Sequence, residues 1–222
     1  MKLASIIAAI AIILTLAAVG QAAPLQTETE TYGPQSPTFS DTLNFNQYSG
    51  GDCGLVRITL HAASSGGSVS LDNEGESSAV ASYDFGIRST LSSATFSPDV
   101  VLNALNSGSE NLAADNGDDP ETVQTDAPDG AFITGSNVSD GDVLEFTGTD
   151  MDPFLGSSTF DILASVDSIA TITGGVNFTN IVSQGDGYAT VEYFVPEPAT
   201  VGLLTIGGLG LLLRRRRRNA RA

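Results

Sequence analysis

The chain has 222 residues, 26 acidic against nine basic, and a formal net charge of −17 at pH 7. Between residues 23 and 195 the imbalance sharpens to 25 carboxylates against Arg57 and Arg88, a charge of −23. A surface of that sign repels phosphates and anionic headgroups, which excludes nucleic acid as a partner of this region. One cysteine, Cys53, and one histidine, His61, exclude an intrachain disulfide and most metal-centre and triad chemistry.

From the N-terminus, Lys2, the apolar run 3–19 and the small residues Gly20 and Ala22 have the order of a secretory signal peptide. The expected cut lies between Ala22 and Ala23, after passage through the secretory translocon. Residues 23–35 read as a linker, and 36–195 as one exported domain long enough for a sizeable core. Strand signals fall at 38–45, 55–62, 67–71, 79–87, 142–148, 158–166, 169–177 and 187–195, separated by Gly, Asn, Asp and Pro clusters. In 55–62 the alternation places Val56, Ile58, Leu60 and Ala62 toward a core and Arg57, Thr59 and His61 toward water. Cys53 reads as a small buried hydrophobe. Residues 100–105 are the best helix candidate, with Pro98 and Asp99 suited to its start, and a strand is nearly as well supported there. Residues 108–130, carrying Asp115-Asn116-Gly117-Asp118-Asp119-Pro120, read as a long surface loop. About eight such strands predict an all-β, antiparallel β-sandwich of jelly-roll or immunoglobulin-like type.

The C-terminal 27 residues, 196–222, have a different character. Pro196 and Pro198 hold Glu197 in an extended segment that no helix can absorb. Residues 199–213 follow without a charge. As a helix they span about 22 Å, short of a hydrocarbon core of about 30 Å. Arg214, Arg215, Arg216, Arg217 and Arg218 lengthen the segment by reaching the headgroups, and they hold their end on the cytoplasmic side. The expected architecture is therefore a sandwich between a signal peptide (1–22) and a single transmembrane helix (199–213) with an arginine-rich tail (214–222). The alternative for the tail is a stop-transfer anchor that is never cut.

The succession Val195-Pro196-Glu197-Pro198-Ala199-Thr200, the Leu/Gly-rich stretch to Leu213 and the arginine block resemble the PEP-CTERM sorting signal of Gram-negative bacteria. The resemblance implies that Pro196, Glu197 and Pro198 are a recognition motif for an exosortase, a membrane cysteine transpeptidase-like enzyme. It also implies a transient inner-membrane intermediate and release toward the cell surface or an extracellular polysaccharide matrix. Leu43-Asn44-Phe45-Asn46-Gln47-Tyr48, the strand at 54–60, the segment 68–73 and the closing 187–193 are similar to the choice-of-anchor E domain, a β-rich module with varied anchoring tails. Asn46 stands where such domains carry an acidic residue, and Gly50-Gly51-Asp52-Cys53 is inserted in the turn. That resemblance implies no catalytic residues.

Paired carboxylates are common in so acidic a chain. Calcium needs six to eight oxygens, and neither an EF-hand loop nor an RTX repeat is present. The calcium candidates are Asp115, Asp118 and Asp119 in the loop, and Asp150 with Asp152. A glycosidase needs two carboxylates and, normally, an aromatic sugar platform, yet the chain has no Trp and five Tyr. No enzymatic activity and no firm cofactor are expected. The reading is an exported structural or adhesive surface protein, with a secreted carbohydrate- or calcium-binding lectin-like module as the alternative.

Overall fold

A computed structural model describes residues 24–195 except 52, 118–122, 124, 126–127 and 182–183. The expected signal peptide with Ala22 and Ala23, the 196–198 motif, the apolar segment and the five arginines lie outside the described residues. No helix among the described residues is long and apolar enough to cross a membrane.

The strands are β1 (Gln26–Gln35), β2 (Phe39–Asn46), β3 (Leu55–Ser65), β4 (Ser68–Asp72), β5 (Ala79–Ser93), β6 (Phe96–Leu112), β7 (Gly130–Thr134), β8 (Val138–Phe146), β9 (Thr159–Thr173), β10 (Asn177–Ile181) and β11 (Gln184–Phe194). A 3-10 helix, Gly148–Phe154, precedes β9. The named strands pair antiparallel in sheets ordered β1-β11-β3-β8, β10-β4-β7 and β2-β9-β5-β6.

The three-stranded sheet is the continuation of the first. The β11–β3 ladder ends with Gln184 opposite Ser65, and the β10–β4 ladder resumes three residues further on both strands, with Ile181 opposite Ser68. The β3–β8 ladder ends at Ser64 opposite Val138 and resumes four residues further on both strands, with Ser68 opposite Thr134. Equal advance on both partners preserves the register, and Gly135 N–H donates to the Gly67 carbonyl at 2.9 Å across the gap. Gly66 and Gly67, at φ +73° and +109°, are the local cause of the break, since that backbone region suits residues without a Cβ.

Joined this way, eight long strands form two facing sheets, β1, β10/11, β3/4, β7/8 over β2, β9, β5, β6. The first and second strands lie in opposite sheets and the last lies beside the first. An immunoglobulin-type sandwich instead keeps its first two strands in one sheet, so this is jelly-roll order.

Two apolar clusters fill the interior. The larger joins Val56, Ile58 and Leu60 of β3 to Phe45, Ile162 and Ile87 of the opposite sheet, and the smaller joins Val69 and Leu71 of β4 to Phe85 and Leu112. Each such side chain contributes about 1.5–3 kcal/mol by leaving water. The alternation predicted for 55–62 is observed, with every second residue of β3 buried.

Several expectations are corrected. The supposed linker 23–35 is largely β1, paired with β11. Its Thr/Glu alternation faces water on an edge strand, so only Tyr32 carries an apolar signal. The helix candidate 100–105 is strand within β6: Val100, Leu102 and Ala104 point inward while Val101 and Asn103 are exposed, a period of two. The loop expected at 108–130 begins only after Leu112, and the strands expected at 158–166 and 169–177 are one strand, β9, to Thr173, followed by β10.

Carboxylates stitch the sandwich edges. Glu28 of β1 accepts from the Asn46 backbone N–H of β2 (2.9 Å), Asp41 of β2 from Gly33 (3.1 Å) and Asp140 of β8 from Asn103 of β6 (2.8 Å). Part of the acidic composition therefore satisfies edge amides that would otherwise invite another strand. Burial pushes the Glu28 carboxyl up, but hydrogen bonds from the Asn46 backbone, the Asn46 side chain and Gln26 outweigh it, and the net shift is downward.

Tyr32 crosses from β1 to donate its hydroxyl to the His61 carbonyl on β3 at 2.9 Å. Burial raises this hydroxyl to about 12, the Ser89 hydroxyl offsetting and the Asp186 charge adding to the rise. An unfolded tyrosine titrates near 10, so unfolding releases a proton between these values. This stabilising contribution is complete below about pH 10 and fades as pH approaches about 12. The denaturant midpoint is expected to fall across that window, with a shallower fall in Tyr32→Phe; equal slopes in the two proteins would contradict the assignment.

Candidate functional site

The two ends of the domain leave from one pole of the sandwich. Gln26, the first residue of β1, lies opposite Tyr193 near the end of β11, and Leu25 N–H donates to the Tyr193 carbonyl at 2.7 Å. Segments preceding residue 24 and following residue 195 therefore start from neighbouring points.

The C-terminal exit is tightly held. β11 lies between β1 and β3, so both of its edges are occupied. Phe194 lies opposite Leu55, and its carbonyl accepts from Gly54 N–H at 2.8 Å. The Arg57 guanidinium sits 5.1 Å from the Phe194 ring centroid, a cation–π contact, and bonds Glu145 of β8 at 2.7 Å. Strand alternation explains the grouping, because Arg57, Glu145 and Phe194 all project from the outer face of one sheet. Tyr193 points inward, stacks on Tyr48 at 5.3 Å and donates to the Asn46 carbonyl at 3.0 Å. Burial raises its hydroxyl strongly, with the charges of Glu28 and Cys53 adding to the rise. Cys53 packs partly buried against the core, Sγ 3.4 Å from the Leu55 carbonyl.

The acidic candidates are dispersed. Asp150 and Asp152 are exposed on the 3-10 helix at the exit pole, where Met151 and Phe154 anchor the turn inward. Asp115 lies at the opposite pole, its N–H donating to the Gly75 carbonyl and its carboxylate accepting from Gly117 N–H at 2.8 Å. Asp118 and Asp119 lie outside the described residues. Among the described residues, no three His, Cys, Asp or Glu side chains are grouped to hold a metal ion.

The tyrosines are mostly engaged in packing: Tyr32 and Tyr193 are buried, Tyr48 stacks on Tyr193, and Tyr83 lies against Phe85. Tyr188 stands on the outer face of the first sheet, stacked on His61 at 4.7 Å and 10°. His61 thus occupies the outer face as its alternation predicts, but Tyr188 covers it to half-burial and its Nδ1 is screened from solvent. Thr29 and Thr190, hydrogen-bonded at 2.9 Å, and Thr59 continue that face. A shallow cleft of about 280 Å³ separates the edges of β6 and β8, with Phe96, Val101, Leu144 and Phe146 as walls and Asp99 and Asp142 at its rim.

Sequence reasoning found the tail and missed the clamp. Arg57 had one available signal: it is one of two cations between residues 23 and 195. Its partners Glu145 and Phe194 are distant in sequence, and only strand pairing brings them to it.

No curated protein matches the chain. Solved structures with weak likeness include that of the infectious bursal disease virus Gx strain, 10% identical over 89% of this chain and 52% of that one, TM-score 0.17. Another is the VP2 subviral particle of infectious bursal disease virus, 9% identical over 88% and 50%, TM-score 0.15. The chain spans about half the length of those structures, and likeness at that level says nothing of this chain's architecture or role. The family model of the PEP-CTERM protein-sorting motif, by contrast, matches residues 194–218, from the clamped Phe194 through the last of the five consecutive arginines. The chain thus carries a PEP-CTERM protein-sorting motif at residues 194–218.

Proposed function

We propose that this protein is a non-enzymatic structural or adhesive component of the cell surface or extracellular polysaccharide matrix of a Gram-negative bacterium. The observation that carries the reading is a closed, acidic jelly-roll domain joined directly to a sorting motif, with the first and last strands of the domain starting and ending at one pole. In this reading residues 1–22 are removed as a signal peptide during translocation. Residues 199–213 then hold the chain in the inner membrane with Arg214–Arg218 on the cytoplasmic side, and the exosortase cuts at Pro196-Glu197-Pro198. The segments that resemble the choice-of-anchor E domain fall on β2, β3, β4 and β11, which supports treating the sandwich as a module of that kind.

The intact mass of the native protein tests this. The expected mature species begins at Ala23 and lacks Arg214–Arg218, and alanine at Pro196, Glu197 and Pro198 is expected to leave the arginines in place. A native protein that retains the arginines contradicts processing.

A second reading, a carbohydrate-binding module, is favoured by the Tyr188–His61 ring pair with its threonine neighbours on the outer sheet face. Reproducible binding on a glycan array, abolished by Tyr188→Ala, would establish it over the inert structural role. Calcium at Asp150 and Asp152, or at Asp115 with Asp118 and Asp119, would show as a calcium-dependent rise in melting temperature.

A further inference from the structure

The sorting motif begins two residues after β11 ends: Phe194 is the last strand residue, and Val195 alone separates it from Pro196. Processing enzymes take their substrates as extended segments whose backbone edges are free to pair. Up to Phe194 those edges are not free. Leu25 holds the Tyr193 carbonyl from one side, Gly54 holds the Phe194 carbonyl from the other, and Arg57 caps the Phe194 ring.

We propose that the folded domain gates its own processing: Phe194 must leave the sheet before the adjoining Pro196-Glu197-Pro198 motif can be seated in the enzyme, and Arg57 is the positioning residue that sets how often it does. The inference rests on the exosortase reading above. A strand end opens locally without unfolding the domain, and it opens less often the more strongly it is held. Three interactions hold this end and must break for it to open: the Gly54 hydrogen bond, the stacking of Arg57 on the Phe194 ring and the pairing with Leu55. Arg57 keeps its place without Phe194 through Glu145, with a 2.7 Å contact to one carboxylate oxygen. The guanidinium is therefore pre-positioned to recapture the ring each time the end closes. The gate also orders events, because β11 is held only once both β1 and β3 have paired with it, and the most clamped substrate is the fully folded one.

The test is a pulse-chase of the full-length protein in an exosortase-bearing host, following loss of the tail by intact mass. Two variants are compared with the wild type: Gly-Ser-Gly-Ser-Gly-Ser inserted between Val195 and Pro196, and Arg57→Ala. The insertion lies outside the sandwich and frees the motif from the strand, so processing is expected to accelerate at least about fivefold. Arg57→Ala is expected to accelerate it about fivefold, the scale of one cation–π contact with its ion pair. Amide exchange should rise at Tyr193 and Phe194 and stay unchanged at Ile58 and Ile162, which separates local opening from general loosening. If Arg57→Ala does not fold, the insertion decides. A wild-type protein that is processed at the same rate as the insertion variant overturns the gate alone. Retention of the tail in every protein overturns the exosortase reading and the gate with it.

Discussion

Replacing Gly187 with alanine is expected to lower the stability of the exported domain by about 3 kcal/mol, near the upper end of ordinary overpacking. Gly187 lies on β11 directly opposite Tyr32 on the neighbouring β1. To reach the His61 carbonyl on β3, the Tyr32 side chain crosses β11 at this residue, and its ring occupies the space a Cβ would fill. The His61 carbonyl lies in the same space from the other side. Relief would require moving either a buried ring with its hydrogen bond or the backbone of two central strands, and neither yields cheaply. For a domain of this size each kcal/mol moves the melting temperature by about 2–4 °C, so thermal unfolding should show a drop of about 6–12 °C. Alanine at Gly51, where no atom approaches a Cβ, meets only the cost of its positive φ and is expected to lose about 1 kcal/mol. Equal melting temperatures for Gly187→Ala and the wild type would mean that Tyr32 does not cross there.

Phe154→Ala is expected to cost about 4 kcal/mol, a fall of about 8–16 °C. Phe154 is fully buried at the end of the 3-10 helix and sits in a chain of rings: 4.7 Å from Phe146 on β8, 5.1 Å edge-on from Phe160 on β9, with Phe160 stacked on Phe45 of β2 at 5.5 Å. Those contacts close the exit pole from inside and join both sheets there, adding about 0.5–1.5 kcal/mol per pair to the burial itself. The loss should also loosen the turn that carries Asp150 and Asp152, seen as faster exchange of the Tyr48 and Leu155 amides, whose N–H groups bond the Phe154 and Asp152 carbonyls. Phe132→Ala is the contrast, since that ring is 59% exposed and its removal should stay within about 0.5 kcal/mol. Comparable losses at 132 and 154 would refute the ring chain as the pole's support.

Strand β3 was legible in the sequence because its burial alternates without a break, from Val56 through Ser64. β1 was not, because an edge strand with one buried ring and a run of Thr and Glu looks like polar linker until β11 is known to lie beside it. The 100–105 segment carried both helical and strand signals, and the facing sheet decided between them by burying Val100, Leu102 and Ala104 together. Of the candidate site, the tail was readable and the clamp was not. Arg57, Glu145 and Phe194 meet only because β3 pairs with both β8 and β11.

What the sequence determined alone is the address. Its chemistry is local: the proline-flanked glutamate, the uncharged stretch and the arginine block are contiguous, so their order carries the message before any folding. The tertiary structure decided how that address is presented. Both ends of the described domain lie at one pole and the motif follows in sequence a strand held on both sides, because residues near opposite ends of that domain, Gln26 and Tyr193, become neighbours only through sheet pairing. Such long-range pairings are selected by burial against the opposite sheet, and local sequence carries no record of which partner wins.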